Sequence, residues 1–597
     1  MSDFLPATLA LLLLAAGCAQ QPAKPAAQLA AAPQTPTETK PKPARAAASE
    51  AQRRHPALPR VELTEQFMFK MMLAEVAVQR GQLQIAVPAY LDLARETRDP
   101  RVAQRATEVA WNARMVSAAL EAAGVWLQAD PESAQARQIL AALLVNQSQL
   151  DEARPHLEKW LAADPANVGQ SFLQLSKLLS RNKDRQAVLR LMQKLAEPYA
   201  QVPEARLTVA QAAWNAGAQQ IALAESGAAL KLRPDWELAA LFHAQALQRR
   251  SNAEAADFLA GYLKDHPQAR DARFNYARLL VSEKRYADAR AEFEALLAAQ
   301  PDNGDMAMAV AALAMQAADY DTAERLLKRV LDSKYKDPDA ARLYLGQVAE
   351  ERKRYDEAME RYAAVGHGEH YMLAQSRYAG VLAKQGKLDE ALSHLRSIKP
   401  ANNQQRVQLT QAEAQLLREG DRYQEAFDVL GRALEVLPNY PDLLYDHAMA
   451  AEKVERYDVL ESNLRKLIEI RPDNAHAYNA LGYTLADRNE RLPEARQLIE
   501  TALNLTPDDA FIMDSMGWVL YRMGQVKESL DYLQRAYVVR SDAEIAAHLG
   551  EVLWADGQRD RAQQIWTESL KNKDNAKNEL LRSTIKRYAP LMLPAAR

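Results

Sequence analysis

The sequence is poor in cysteine, glycine and aromatic residues, and it has almost no net charge. Its 597 residues include one cysteine, Cys18, which excludes an intrachain disulfide framework or a cysteine-based metal cluster. The 75 basic and 78 acidic side chains give a formal net charge of −3, so no overall field attracts nucleic acid. With 20 glycines, 7% aromatic and 48% hydrophobic residues, the composition favours helix and excludes wholesale disorder. We expect an all-α protein that does not bind nucleic acid.

The N-terminus has the pattern of a secretion signal. Residues 4–17 form an apolar run that suits the hydrophobic region of a signal peptide and is too short to span a bilayer comfortably. The run ends in Ala-Ala-Gly before Cys18, which resembles the lipobox of bacterial lipoproteins. Ala15 departs from the usual leucine, and no Lys or Arg precedes the run. The resemblance implies a signal peptide over residues 1–17 and lipid attachment at Cys18; an ordinary secretory signal with an incidental cysteine is the alternative.

Residues 18–60 are predicted to form a disordered tether that starts at the lipidated cysteine. Beyond Cys18 the segment is dominated by Ala, Pro, Gln, Lys and Thr, with eight prolines and no helical apolar period. Ala19 stands where an aspartate would retain a lipoprotein in the inner membrane, so the sorting rule of enteric bacteria implies the outer membrane. We therefore expect a periplasm-facing body, bound to the outer membrane through its N-terminal lipid.

An internal repeat occupies residues 61–575. A small residue recurs at intervals of 33 to 35 residues, with a leucine in one slot. These fifteen positions are Ala86, Ala119, Ala153, Ala187, Ala222, Ala255, Ala289, Ala323, Ala358, Ala391, Ala426, Leu460, Ala495, Ser529 and Ala562. A second small residue precedes most of them by about twelve residues, and a proline follows eight of them by twelve. Two small residues let paired helices approach closely, and proline ends the second helix. The pattern predicts a superhelical solenoid of about fifteen tetratricopeptide-type hairpins, closed by a C-terminal cap helix over residues 576–597.

The last three units match the tetratricopeptide pattern best and carry a family resemblance. Around Gly482, Gly517 and Gly550 the first helix has the order large residue, Leu or Met, Gly, large residue. Together with the lipobox, this block resembles the outer-membrane lipoprotein adaptors that present substrates to periplasmic carboxyl-terminal processing proteases in Gram-negative bacteria. The earlier units depart from the pattern, with Leu175 and His243 in the small-residue column.

In tetratricopeptide folds the inner face of the first helices lines a concave groove, and this pattern selects eight candidate binding residues. They are Tyr445, Met449, Asn479, Tyr483, Asp514, Trp518, Tyr521 and Trp554. Aromatic rings beside Asn and Asp suit the capture of an extended or helical peptide. Large residues at helical spacing are also typical of a packed core, so both interpretations stay open at each position.

No motif indicates catalysis, a cofactor or a metal site. The sequence has no Gly-rich phosphate loop, and its acidic pairs recur once per hairpin at the start of the second helix, as structural charges do. His367 and His370 form the one close histidine pair, which a surface turn explains better than a metal. His243 is expected to be a packed, hydrogen-bonded histidine. We expect a protein that is not an enzyme and has no cofactor, no metal and no small-molecule substrate.

Two functions are consistent with these features. The resemblance implies a lipid-anchored periplasmic scaffold that binds cell-wall hydrolases or similar clients and presents them to a carboxyl-terminal processing protease. Binding both partners on one scaffold makes their encounter intramolecular, at an effective concentration of about millimolar. The alternative is an envelope assembly factor that activates a peptidoglycan synthase or supports outer-membrane biogenesis.

Overall fold

The computed structural model describes residues 59, 61–333 and 335–592. The chain divides into two compact units, with the first ending at Ser333. The predicted signal peptide, Cys18 and nearly all of the predicted tether lie outside the described residues, as do residues 593–597.

The first unit consists of eight helical hairpins, each made of an odd-numbered first helix and an even-numbered second helix. The helices are α1 (Glu65–Gln79), α2 (Leu83–Thr97), α3 (Pro100–Asn112), α4 (Val116–Ala129), α5 (Ala134–Asn146), α6 (Leu150–Ala163), α7 (Val168–Leu179), α8 (Arg185–Ala196), α9 (Pro203–Asn215), α10 (Gln219–Leu232), α11 (Glu237–Gln248), α12 (Asn252–Asp265), α13 (Arg270–Ser282), α14 (Tyr286–Ala299), α15 (Gly304–Gln316) and α16 (Tyr320–Asp332).

The second unit contains seven hairpins followed by a single helix. Its helices are α17 (Pro338–Glu351), α18 (Tyr355–Ala363), α19 (Tyr371–Lys384), α20 (Leu388–Ser397), α21 (Asn403–Glu419), α22 (Tyr423–Val436), α23 (Pro441–Lys453), α24 (Tyr457–Ile470), α25 (Ala475–Asp487), α26 (Leu492–Leu505), α27 (Ala510–Arg522), α28 (Val526–Val539), α29 (Ala543–Ala555), α30 (Arg559–Leu570) and α31 (Glu579–Tyr588). The described residues contain no strand. The prediction of an all-α solenoid of fifteen tetratricopeptide-type hairpins is therefore confirmed.

The small residues pack where the two helices of a hairpin touch. Ala153, Ala495 and Ala562 are fully buried near the start of a second helix. In the opposing first helix, a methyl group added to Gly482 would lie 2.9 Å from the carbonyl oxygen of Ala495. The recurring small residues therefore set the distance between the paired helices, as the sequence predicts.

The turns inside the hairpins use left-handed backbone conformations. Between α27 and α28, Gly524 has a φ of 82°, and its N–H donates to the carbonyl oxygen of Tyr521 at 2.9 Å. Residues with side chains occupy the same conformation in other turns, for example Ser148 and Asp421 with φ of 61° and 58°. The left-handed residue reverses the chain within two residues, so that consecutive helices lie side by side.

The recurring prolines follow the ends of second helices. α14 ends at Ala299 and Pro301 follows two residues later; α24 ends at Ile470 and is followed by Pro472. Proline lacks the N–H that continues a helix, so the chain turns there into the next hairpin. The acidic pairs lie in the first turn of the second helix, as expected, for example Asp151 in α6.

The two ends of the repeat differ. In α1, Ala74 and Ala77 are buried, whereas Met68, Phe69 and Met72 leave 52%, 66% and 65% of their surface exposed. At the C-terminal end α31 packs on α29 and buries Leu581 and Ile585. α31 begins at Glu579 rather than at the predicted residue 576, because the side chain of Asn578 caps the helix by accepting from the N–H of Leu581 at 2.9 Å. None of the helices in the described ranges is long and apolar enough to cross a membrane.

Candidate functional site

The first helices of the last four hairpins, α23, α25, α27 and α29, surround a common surface, which we call the C-terminal trough. α25 contacts α27, and α27 contacts α29. The rings of Tyr483 on α25 and His548 on α29 have their centroids 6.0 Å apart, although α27 lies between these helices in the sequence. The inner faces of successive first helices therefore converge, which makes this surface concave.

A buried charged pair lies in the C-terminal trough. His548 Nδ1 and Asp514 Oδ2 are 2.8 Å apart, and both side chains are almost fully buried. Burial alone would lower the pKa of His548, but the charge and hydrogen bond of Asp514, together with the charges of Glu544 and Asp487, raise it. Because a carboxylate accepts hydrogen bonds, Nδ1 of His548 donates to Asp514, and this pairing favours the protonated imidazole.

Aromatic rings cover this pair. The indole of Trp518 stacks on the imidazole of His548, with the ring centroids 4.3 Å apart. The ring of Tyr521 packs against the indole of Trp518, with the ring centroids 5.4 Å apart. Trp518 also donates its indole N–H to a carboxylate oxygen of Asp487 at 3.3 Å. A protonated imidazole beside an electron-rich ring is stabilised by a cation–π interaction.

Two buried oxygens in the trough have no hydrogen-bond donor within the described part of the chain. They are Oδ1 of Asn479 on α25 and Oδ1 of Asp514 on α27. An acceptor left without a donor in the protein interior costs about 1–3 kcal/mol. Both oxygens are closed off from solvent, so they belong to the packed interior beneath the trough.

Carboxylates give the trough its charge. Desolvation raises the pKa of Glu452 on α23, and the nearby carboxylate of Asp487 adds to the effect. Desolvation likewise raises the pKa of Glu544 on α29, even though solvent still reaches this side chain. The pKa of the Tyr483 hydroxyl is raised well above its usual value, first by burial and then by four surrounding carboxylates. The nearby ammonium of Lys453 opposes the shifts of Glu452 and Glu544, so the trough combines carboxylates and aromatic rings with a lysine.

The structure brings together four of the eight predicted residues. Tyr483, Asp514, Trp518 and Tyr521 gather around His548.

The other four predicted residues lie on α23, α25 and α29. Tyr445 and Met449 are half-buried on α23 and pack in the same apolar cluster as α25, and Asn479 is half-buried on α25. Trp554 packs instead between Trp566 of α30 and Tyr588 of α31, with ring centroids 5.9 and 6.1 Å away. The cap helix therefore covers Trp554.

The sequence reasoning did not select four residues that shape the site: His548, Asp487, Glu452 and Glu544. His548 lies 34 residues after Asp514, close to the length of one repeat. The repeat itself aligns Asp514 with Ala547, because Gly550 follows Gly517 by 33 residues, so spacing alone does not identify this contact.

Two other histidines, His243 and His370, have structural surroundings. Nδ1 of His243 lies 2.7 Å from the hydroxyl of Ser226, which agrees with the expectation of a packed, hydrogen-bonded histidine. Burial lowers the pKa of His243. His370 lies 3.1 Å from a carboxylate oxygen of Asp337. Among the described residues, no group of three or more His, Cys, Asp or Glu side chains could hold a metal ion.

Comparison with known proteins identifies the repeat. Models of the tetratricopeptide repeat match residues 246–313, 311–366 and 445–510. Over 493 residues the chain is 34% identical to the TPR repeat-containing protein PA4667 of Pseudomonas aeruginosa, and this match covers 82% of each chain. The chain belongs to the tetratricopeptide-repeat family. Proteins of this family are typically non-catalytic scaffolds that bind other proteins.

Other similarities are more distant. The mouse aspartyl/asparaginyl beta-hydroxylase is 26% identical over 200 residues, which cover 30% of this chain and 26% of that protein. Too little of the hydroxylase is shared to assign its activity to this chain. A solved TPR protein of Thermus thermophilus, TTC0263, is 24% identical with a TM-score of 0.27, and the match covers 30% of this chain and 96% of that one. The chain from the APC/C hetero-tetramer Cut9-Hcn1 is 15% identical with a TM-score of 0.28, over 82% of this chain and 97% of that one.

Proposed function

We propose that the protein is a scaffold of the bacterial cell envelope that binds a segment of a client protein in the C-terminal trough. The observation that carries this proposal is the cluster of Tyr483, Trp518 and the Asp514–His548 pair on three converging helices. The partly exposed rings of Tyr483 and Tyr521 supply apolar contact area, and the exposed carboxylate of Glu544 accepts hydrogen bonds from a bound chain. The acidic side chains favour a client segment that carries Lys or Arg.

We further propose that this scaffold is a lipid-anchored adaptor at the periplasmic face of the outer membrane, which presents cell-wall hydrolases or similar clients to a carboxyl-terminal processing protease. Support comes from the lipobox-like sequence before Cys18, the apolar run of residues 4–17 and the resemblance carried by the C-terminal repeats. The exposed apolar face of α1 adds a second surface, in the first unit, and exposed apolar patches often mark interaction sites. An adaptor needs two such surfaces, because it acts by keeping protease and client close together.

Co-purification from envelope extracts tests the binding role. The wild-type chain is compared with Tyr483→Ala, which removes the ring at the centre of the trough. Tyr423→Ala is the matched control, because Tyr423 is an exposed tyrosine at the start of a second helix in the same unit. We expect client proteins to be lost from the Tyr483→Ala sample and retained in the control. Equal recovery with both variants would contradict a role of the trough.

A reconstituted cleavage reaction tests the adaptor role. Protease and hydrolase recovered with the chain are mixed with and without it, and the cleavage rate of the hydrolase is measured. The proposal expects faster cleavage with the scaffold and loss of this effect with Tyr483→Ala. Recovery of synthase or outer-membrane assembly subunits, with hydrolase cleavage unchanged, would favour the assembly-factor function instead.

A further inference from the structure

A second trough lies in the first unit, far along the sequence from the residues that the repeat pattern selects. A cavity of about 730 Å³ is formed by the inner faces of α9, α11 and α13. A neighbouring cavity of about 420 Å³ extends it to α7. The two cavities share Gln211, Phe242 and Gln245, so they form one continuous surface, which we call the N-terminal trough.

The charges that line this trough have one sign. Lys177, Arg278 and Lys284 line it, and neither cavity has an Asp or Glu in its lining. No carboxylate pairs with any of these three cations within the described part of the chain. A surface of this kind attracts carboxylates.

Several other arginines of the same unit are paired with carboxylates. Arg206 lies 2.9 Å from Glu225, and Arg290 lies 2.7 Å from Asp319. Arg278 instead lies over the ring of Phe274, 6.0 Å from its centroid. Its guanidinium keeps N–H donors that a bound carboxylate could use.

Amide side chains and apolar groups complete the lining. Gln211, Gln245 and Gln248 offer donors and acceptors on neighbouring first helices, and Gln245 and Gln248 are exposed. Oε1 of Gln211 accepts from the hydroxyl of Ser176 at 3.1 Å, which leaves its amide N–H groups available. Leu238 leaves 53% of its surface exposed beside the half-buried ring of Phe242. Amides can pair with a peptide backbone of any sequence, whereas an exposed leucine contacts apolar side chains.

We propose that the N-terminal trough binds an extended, acidic segment of a partner protein. Four first helices spaced about 10 Å apart span roughly 30 Å, which an extended chain of about nine residues covers. In this arrangement Asp or Glu side chains of the segment contact Arg278 and Lys177, and the glutamine amides hold its backbone. This site does not depend on the C-terminal trough, whose carboxylates would repel the same segment.

A protein segment fits this surface better than a nucleic acid does. Duplex DNA carries one negative charge for about every 1.7 Å of its axis, and non-specific binding depends on many phosphate contacts. The trough offers three unpaired cations over its length, in a chain with a formal net charge of −3. Single-stranded nucleic acid is bound largely by bases stacking on aromatic side chains. Here Trp214 already packs edge-on against Phe242, 6.1 Å away, and is covered by the guanidinium of Arg249 at 4.2 Å.

Fluorescence anisotropy on the full purified chain tests the proposal. The probes are a labelled decapeptide that alternates Glu with Leu, the same peptide with Lys in place of Glu, the same with Gln, and a short single-stranded DNA. We expect the Glu peptide to bind at least about tenfold more tightly than the Gln peptide, and its affinity to fall as salt is raised. The Lys peptide should not compete with it.

Charge reversal then locates the site. Arg278→Glu should weaken binding of the Glu peptide about tenfold or more. Arg190→Glu is the matched control, because Arg190 is an exposed arginine on a second helix of the same unit. Circular dichroism checks that both variants keep the wild-type helix content, and Lys177→Gln provides a milder second variant if Arg278→Glu does not fold.

The proposal would be overturned by equal binding of the Glu and Lys peptides, by equal effects of Arg278→Glu and Arg190→Glu, or by tighter binding of the DNA than of the Glu peptide. Tyr483→Ala in the C-terminal trough should leave the affinity for the Glu peptide unchanged. If Tyr483→Ala abolished binding and Arg278→Glu did not, the Glu peptide would bind in the C-terminal trough, which would contradict the assignment.

Discussion

Ser529 donates its hydroxyl to the backbone carbonyl oxygen of Gly517 at 2.6 Å, and both residues belong to the recurring small positions of one hairpin. The contact joins the start of α28 to the middle of α27. Such a bond forms only where the paired helices lie very close together, because a backbone carbonyl inside a helix is otherwise surrounded by side chains. The small size of the residues at these two recurring positions therefore sets the distance between the helices of a hairpin.

Gly517→Ala is expected to destabilise the protein. The added methyl group would lie 2.5 Å from Cγ of Leu533 and 3.1 Å from the carbonyl oxygen of Ser529, so α27 and α28 must move apart. Overpacking of this kind costs about 1–3 kcal/mol. Gly380→Ala is the control, because its methyl group would have no atom within 4 Å and alanine favours helix by up to about 1 kcal/mol. Urea denaturation should give a lower midpoint for Gly517→Ala and an equal or higher one for Gly380→Ala.

The fold could be predicted from the sequence because the small residues and prolines repeat at a fixed length. Each recurring position is one where helix packing permits few residue types, and fifteen copies of the hairpin make these positions recognisable in the sequence. The packing of residues that depart from this pattern is harder to predict. His243 occupies a small position, yet the hairpin accommodates it through its contact with Ser226 and a ring contact with Phe258 at 4.8 Å. Compensation by a neighbouring residue cannot be recognised from the pattern alone.

Gly524→Ala tests the turn between the helices of a hairpin. The φ of 82° at Gly524 is unfavourable for a residue with a Cβ, so we expect a loss of about 1–2 kcal/mol in the free energy of unfolding. The reverse change, Glu455→Gly, should stabilise the protein by about 1 kcal/mol, because Glu455 has a φ of 60° in an equivalent turn. Melting temperatures that move in the same direction for both variants would contradict the role given to the backbone conformation.

Leu581→Ala tests how much the cap helix contributes. Leu581 is fully buried in the cluster that contains Trp566 and Ile585. Truncating a buried leucine to alanine costs about 2–5 kcal/mol, through lost apolar contact and the cavity left behind. Leu591, which is completely exposed, provides the control, since Leu591→Ala should leave stability within about 0.5 kcal/mol of wild type. Equal stability of the two variants would mean that α31 does not protect the last hairpin.

The C-terminal trough was predictable only in part. The tetratricopeptide pattern selected Tyr483, Asp514 and Trp518 because they occupy inner positions of the first helix. It did not select His548, because the repeat aligns Ala547 with Asp514. Gly550 follows Gly517 by 33 residues, whereas His548 follows Asp514 by 34. The imidazole reaches Asp514 from the neighbouring helical position. Pairing across hairpins depends on side-chain reach and on the local angle between helices, which residue spacing does not specify.

The N-terminal trough was missed for a different reason. Its cations do not repeat with the hairpin, and the formal net charge of −3 gives no sign of a local excess. Lys177 and Arg278 are about one hundred residues apart and come together on one surface only because α7 and α13 belong to the same row of first helices. Their missing carboxylate partners become evident only when the neighbours of each side chain are known.

The pH dependence of stability tests the charged pair in the C-terminal trough. Asp514 raises the pKa of His548 above its ordinary value of about 6.5, and Glu544 and Asp487 act in the same direction. The folded state therefore binds the proton more tightly than the unfolded state. The stabilisation is fully present below about pH 6.5 and is lost as the pH rises through the pKa of the folded state.

His548→Gln removes this titration while keeping an N–H donor for Asp514. The difference in unfolding free energy between wild type and His548→Gln should be largest in mildly acidic solution and should shrink as the pH rises above neutral. Taking the difference between the two proteins cancels the titration of the groups they share, including Glu452, whose pKa is also raised by desolvation. A constant difference between pH 5 and pH 9 would mean that folding does not shift the pKa of His548, and a difference that grows with rising pH would mean that folding lowers it; either result would contradict the assignment.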